Sequence, residues 1–91
     1  MRVLFTKSFA KDLRKHKKNK ELLDQIHRVV ESVEQADAVS ELTNLKQLKA
    51  EGRYYRIRVG DYRIGITIDS DQVMVTFIRV LHRKEIYRFF P

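Results

Sequence analysis

Two periodicities divide the chain. Between residues 20 and 35, Leu22, Leu23, Ile26, Val29, Val30 and Val33 recur at the spacing of one apolar helical stripe. That spacing predicts a helix from Lys20 to Gln35. Upstream, residues 2–6 are short and β-prone, and Thr6 or Ser8 can cap a helix over residues 8–18. Phe9 and Leu13, four apart, share a face of that helix. The run Lys15-His16-Lys17-Lys18-Asn19-Lys20 is too polar to be buried, and Asn19 suits a turn. The two segments therefore read as an antiparallel helical hairpin. His16 and His27 fall on polar helix faces and read as surface residues.

From Arg53 onward the period is two. Tyr55, Ile57 and Val59 alternate with Tyr54, Arg56 and Arg58, and Gly60-Asp61 suits a two-residue hairpin turn with glycine first. Tyr62, Ile64, Ile66 and Ile68 then alternate with Arg63, Gly65, Thr67 and Asp69. A second turn is expected around Ser70-Asp71. A strand over residues 73–81 should follow, apolar on both faces and so interior to the sheet. Residues 83–91 read as a short helix or a turn carrying aromatics. Residues 36–52 form a mixed connector in which Leu42, Leu45 and Leu48 suggest partial burial, and no domain boundary is drawn there. Helices first and antiparallel strands after is an α+β pattern. The expectation is one domain over residues 1–91, an N-terminal helical hairpin packed on a small curved, mainly antiparallel sheet. The other face of the sheet would be free for function.

Charge sharpens this picture. In 91 residues, 19 Lys+Arg against 12 Asp+Glu give a net charge of +7, which attracts polyanions. Eight of the nine lysines lie in residues 1–52 beside eight acids, as on a solvated helix surface. Seven of the ten arginines lie in residues 53–91 with four acids. Arginine offers a planar fork that matches phosphate, so this half hints at a site. The absence of cysteine excludes disulfide and thiol chemistry and fits a reducing cytoplasm. No apolar run suggests a signal peptide or a membrane span, so a cytoplasmic protein is expected. There is no glycine-rich phosphate loop and no paired-histidine spacing. None of Ser8, Ser32, Ser40 and Ser70 sits beside a motif that would activate it. Neither a metal nor a cofactor is expected.

The hairpin register carries the main inference. With a two-residue loop, Val59 pairs with Tyr62, Ile57 with Ile64 and Tyr55 with Ile66, and these six face the helices. Arg58 then pairs with Arg63 and Arg56 with Gly65, so three arginines share the opposite face. Their mutual repulsion calls for an anion, and Gly65 would leave the surface beside them open to a ligand backbone. A solvated polar face is the alternative, but such faces usually mix signs.

The segment Tyr54-Tyr55-Arg56-Ile57-Arg58-Val59-Gly60-Asp61-Tyr62-Arg63-Ile64 resembles the signature strand pair of the RelE/ParE toxin superfamily. Val80-Leu81-His82-Arg83-Lys84-Glu85-Ile86-Tyr87 resembles its closing motif. The start, a short strand followed by Phe9-Ala10-Lys11-Asp12-Leu13, is also similar. The resemblance spans essentially the whole chain, in order and length. It implies a helical hairpin on a curved antiparallel sheet and a toxin of a type II toxin–antitoxin system. For the RelE type it implies metal-independent cleavage of messenger RNA in the ribosomal A site, by attack of the 2′-hydroxyl on the adjacent phosphate. Carried over by position, Arg58, Arg63, Arg83 and Tyr87 would be catalytic, and Arg53, Arg56, His82 and Lys84 would contact RNA. Guanidiniums of Arg63 and Arg83, assisted by Arg58, would stabilise charge building on the phosphate oxygens, while Arg56 holds the substrate backbone. Tyr87 would act as general base or as a stacking platform for a splayed nucleobase. Some family members carry lysines where Arg56 and Arg58 stand. Lysine can lose its proton in a cationic site and arginine effectively cannot, which leaves Tyr87 or His82 as proton acceptor.

The same resemblance implies partners. A short antitoxin, acidic where it touches this chain, would wrap it with a helix, covering residues 56–63 or displacing the C-terminal tail. Ile86, Phe89 and Phe90 would join that contact or simply pack in the core. Operator DNA would be bound only through the toxin–antitoxin complex. Two other classes stay open: a ParE-like inhibitor of DNA gyrase, a type that generally lacks the full arginine and tyrosine set, and a family member that binds RNA or antitoxin without cutting.

Overall fold

A four-residue strand, β1 (Arg2–Phe5), opens the chain, and Thr6 converts it into α1 (Lys7–Lys15). Extended Thr6 accepts the Phe9 N–H on its hydroxyl at 3.0 Å, satisfying an amide that a helix start leaves free. These features come from a computed structural model that describes residues 1–48, 52–69, 71 and 73–91. Helix α1 ends at Lys15 rather than Lys18, because the run of basic side chains that follows has nothing apolar to hold another turn. His16 and Lys17 close it with short bonds to Leu13 O and Arg14 O. Asn19 accepts from Leu22 N–H and caps α2 (Lys20–Gln35), whose bounds match the apolar stripe. Among the described residues no helix is long and apolar enough to cross a membrane.

A 3₁₀ turn (Val39–Glu41) leads into β2 (Leu45–Gln47), β3 (Tyr54–Val59), β4 (Tyr62–Asp69), β5 (Met74–His82) and a short α3 (Ile86–Phe89). The five strands lie in the order β1-β5-β4-β3-β2. All neighbours are antiparallel except β1, which runs parallel to β5. Strand β5 is interior, as its apolar character predicts. The strand β2, inside the segment read as a connector, is an addition to the sequence-based picture; three residues are too few to show a period. The turn expected at Ser70-Asp71 falls partly on Ser70, outside the described residues.

The β3–β4 register is the predicted one, with Ile57 opposite Ile64 and Val59 opposite Tyr62. Ile57, Val59, Ile64, Ile66, Val75, Phe77 and Val80 meet Phe9, Leu22, Ile26 and Val33 in the main core. The opposite face is not free along its whole length. Leu81, Ile86 and Phe90 form a second apolar cluster there with Leu48, Tyr54 and Ile78. That cluster corrects the expectation for Gly65: a Cβ at this position would lie 2.7 Å from the Phe90 ring, so the space is a slot for the chain's own tail.

Strand β5 carries one residue too many for its partner. Ile66 pairs with Phe77 and Gly65 with Arg79, which leaves Ile78 as a bulge. Beyond Phe5, β1 no longer covers the edge of β5, and α1 takes over. The Thr6 hydroxyl donates to Ile78 O at 2.9 Å, and Val80 N–H donates to Asp12 Oδ2 at 2.9 Å. Asp12 is 3% exposed and also receives Arg79 Nε at 2.8 Å. A buried carboxylate here replaces the missing strand.

Candidate active site

The hairpin turn positions the first arginines. Gly60 adopts φ +57°, which glycine reaches without strain, and the turn then sets Arg58 directly opposite Arg63. Arg56 follows on the same face, opposite Gly65. On the neighbouring strand Leu81 is opposite Arg63, so the face of Arg63 is also the face on which α3 packs. Ile86 is fully buried under α3 and anchors it, and the next residue, Tyr87, is 64% exposed. The turn between β5 and α3 carries Arg83, whose N–H donates to Asp61 O in the hairpin turn at 2.8 Å. That bond ties the two loops of the site together.

Backbone carbonyls orient two of these guanidiniums, those of Arg63 and Arg56. Arg63 Nη1 donates to Gly60 O at 2.8 Å and to Tyr62 O at 2.9 Å. Arg56 Nη1 donates to Asn44 O at 2.8 Å, and the same carbonyl accepts the Arg58 N–H at 3.1 Å. Asn44 adopts φ +59°, a left-handed conformation that asparagine tolerates better than most residues. Arg56 Nε is buried and, among the described residues, has no hydrogen-bond partner. Because carbonyls hold the side chains, their positive charge is left for a ligand. Burial first, then the charges of Arg56, Arg58 and Arg83, hold the Arg63 pKa below the usual arginine range, while Tyr87 acts in the opposite sense. Arg63 is thus the electrostatic centre of a group made of Arg56, Arg58, Arg83 and Tyr87. An anion bound there would relieve the repulsion, and a phosphate gaining charge would relieve it further.

The other candidates stand apart. His82 lies opposite Tyr62, on the sheet face turned toward the helices, with ring centroids 5.6 Å apart. It therefore does not join the arginines, and strand alternation is the reason. Arg53 sits at the far end of β3 with its guanidinium over the Tyr54 ring at 6.0 Å. It is five residues from Arg58, roughly 16 Å along an extended strand. Lys84 is exposed in the turn beside Arg83, where its N–H donates to His82 Nδ1. Sequence reasoning missed Asn44 and Asp61, which act through backbone oxygens that no side-chain pattern reveals. An asparagine just before a short strand was the one available hint of a left-handed residue.

Comparison with known proteins gives a consistent result. Residues 3–87 match the family described as ParE toxin of type II toxin-antitoxin system, parDE. The chain is 44% identical to Toxin RelE3 of Methanocaldococcus jannaschii over 92 aligned positions, covering 100% of both. The fold is similar to that in the RelB-RelE antitoxin-toxin complex from Methanococcus jannaschii: TM-score 0.72 and 37% identity over 97% of this chain and 99% of that one. It is also similar to the toxin-antitoxin complex RelBE2 from Mycobacterium tuberculosis, with TM-score 0.59, 31% identity, and 90% and 96% of the two chains covered.

Proposed function

Since the chain belongs to the RelE/ParE superfamily of type II toxins, we propose that it is a ribosome-dependent endoribonuclease that cuts messenger RNA without a metal. What carries the reading is the grouping of Arg56, Arg58, Arg83 and Tyr87 about Arg63, with backbone oxygens as the partners of Arg56 and Arg63. The 2′-oxygen of one nucleotide forms a bond to the adjacent phosphorus and gives up its proton to Tyr87 as phenolate, a form that the neighbouring Arg63 guanidinium stabilises. The bond from phosphorus to the 5′-oxygen breaks, that oxygen takes a proton from water, and a cyclic phosphate remains on the upstream fragment. Negative charge grows on the phosphate oxygens during attack, and Arg63 and Arg83 stabilise it, with Arg58 assisting. Arg56, held by Asn44 O, grips the RNA backbone. The exposed Tyr87 ring also offers a face for a splayed base.

The cell would need an antitoxin. The relatives crystallised with RelB support a cognate partner for this chain, and a surface this basic favours an acidic one. Binding of operator DNA would then run through that complex. A reconstituted translation reaction tests the nuclease reading. Messages should be cut in the presence of ribosomes, and Arg63→Ala should slow cutting about 10²–10³-fold, with Tyr87→Phe also impaired. Intact messages at toxin levels that arrest growth would overturn it. The family description that names ParE favours the second reading, a gyrase-directed toxin. Loss of supercoiling activity on addition of the purified chain would establish that reading.

A further inference from the structure

The turn between β5 and α3 bears Arg83 and leads into Tyr87, so its shape governs both. Glu85 N–H donates to His82 O at 2.8 Å, and Arg83 N–H donates to Asp61 O at 2.8 Å. A third bond runs from Lys84 N–H to His82 Nδ1 at 3.2 Å. An imidazole nitrogen accepts only when it carries no proton. This contact requires Nδ1 of His82 without a proton, so the ring can cap the turn as aspartate or asparagine does when its side chain accepts an N–H two residues on.

The ring faces an open cleft of about 390 Å³ between α1, the ends of β4 and β5, and the turn. Solvent protons reach it there. Facing it are Tyr62 from β4, with His16 also against that ring at 5.0 Å, Asp12 and Lys15 from α1, Arg79 from β5 and Glu85 from the turn. Asp12 is already engaged by Arg79 and Val80, so Lys15, His16 and Glu85 are the remaining ionisable neighbours besides Tyr62.

We propose that His82 is a positioning residue for the arginine site: neutral, it holds the turn that sets Arg83 and Tyr87; protonated, it releases Lys84 N–H and lets that turn loosen. A protonated ring has donors at both nitrogens, and its Nδ1–H would then oppose the Lys84 N–H. The effect on rate rests on the cleavage reading, whereas the hydrogen bond does not. The sign follows directly: the share of the rate that depends on this turn is greatest while the ring is neutral and is lost as the ring takes a proton.

Substitution separates this role from that of a general base. His82→Asn keeps an acceptor but cannot take a proton in this range, and His82→Leu does neither. Relative to the asparagine variant, single-turnover cleavage by wild type should fall about threefold from about pH 8 to about pH 6. The asparagine variant should stay within about threefold of wild type at the higher pH and lose the acidic inflection. The leucine variant should be slow throughout. An asparagine variant as slow as the leucine variant, or one that keeps the wild-type inflection, overturns the proposal. A second measurement needs no RNA: NMR of the ¹⁵N-labelled chain should show neutral His82 protonated at Nε2, and the Lys84 amide moving with the His82 ring as pH falls. A neutral ring protonated at Nδ1, or a Lys84 amide indifferent to His82, also overturns it. If that coupling is present while wild type cuts no message, the switch stands and only the cleavage reading falls.

Discussion

Arg58 and Arg63 stand directly opposite each other across the β3–β4 hairpin, two like charges in one cross-strand pair. The Arg58 N–H turns away to Asn44 O, and in such non-hydrogen-bonded pairs the Cα atoms are only about 4.5 Å apart. Burial first, and then the charges of Arg56, Arg58 and Arg83, lower the Arg63 pKa. For a base, a lowered folded pKa means that the unfolded chain holds the proton more tightly. Stability would rise only as pH climbs into the arginine range, so at neutral pH the penalty is constant and yields to salt instead. Arg58→Thr should therefore raise stability by about 0.5 kcal/mol in low salt, with less gain at about 0.5 M salt, while weakening RNA binding. Urea denaturation at the two ionic strengths checks this, and a variant less stable than wild type in low salt would contradict it.

Gly65 and Phe90 form a lock between sheet and tail. A methyl group at position 65 cannot coexist with the ring as it lies, 2.7 Å away. Gly65→Ala should cost about 1–3 kcal/mol, bounded by the free energy of undocking the tail. Because Tyr54 also meets the Phe90 ring, at 5.9 Å, its fluorescence should report the undocking. Adding Phe90→Leu to Gly65→Ala should cost less than the two single changes summed. Strict additivity would show that the two residues do not meet.

Asn44 holds its carbonyl toward Arg56 and Arg58 through a left-handed backbone. Asn44→Gly should fold as wild type does, since glycine adopts this conformation freely. Asn44→Val should lose about 1–2 kcal/mol and, by misdirecting Arg56, weaken RNA binding as well. Thermal melts and oligonucleotide titrations of the pair decide the matter. Equal behaviour of the two variants would rule the backbone argument out.

Asp12 serves both an arginine and a strand edge. Asp12→Ala frees a buried N–H at Val80 and a guanidinium whose side chain is 26% exposed. Water can reach that charge, so the loss should be about 2–3 kcal/mol, below that of a fully buried pair. Asp12→Asn retains an acceptor for Val80 and should lose about half as much. Chemical denaturation gives both values, and an alanine variant as stable as wild type would mean the edge finds another cover.

The parts of the molecule that were legible in sequence are those where one local rule acts alone. The stripe from Leu22 to Val33 placed α2 to the residue, and Gly60-Asp61 placed the hairpin register and with it the arginine face. Long-range pairings were not legible. Nothing local in Arg2-Val3-Leu4-Phe5 says that it will lie parallel to residues 74–77. The Ile78 bulge breaks the alternation of β5, and a strand apolar on both faces hides such a break. Gly65 was read as open ground because a missing side chain looks the same whether a ligand or the chain's own Phe90 fills the space. His82 belonged to the right motif but to the other face.

The bulge at Ile78 also dictates when the protein comes into being. Thr6 and Asp12 anchor α1 on Ile78 O and Val80 N–H, partners 72 and 68 positions further along the chain. The parallel strand at the N-terminus waits for the same segment. Contacts this distant form late, and during synthesis they cannot form until the last strand has left the exit tunnel. A nascent copy therefore lacks the β1–β5 pairing and the docked α1 until β5 emerges, and the arginine surface stays incomplete until Arg83 follows that strand.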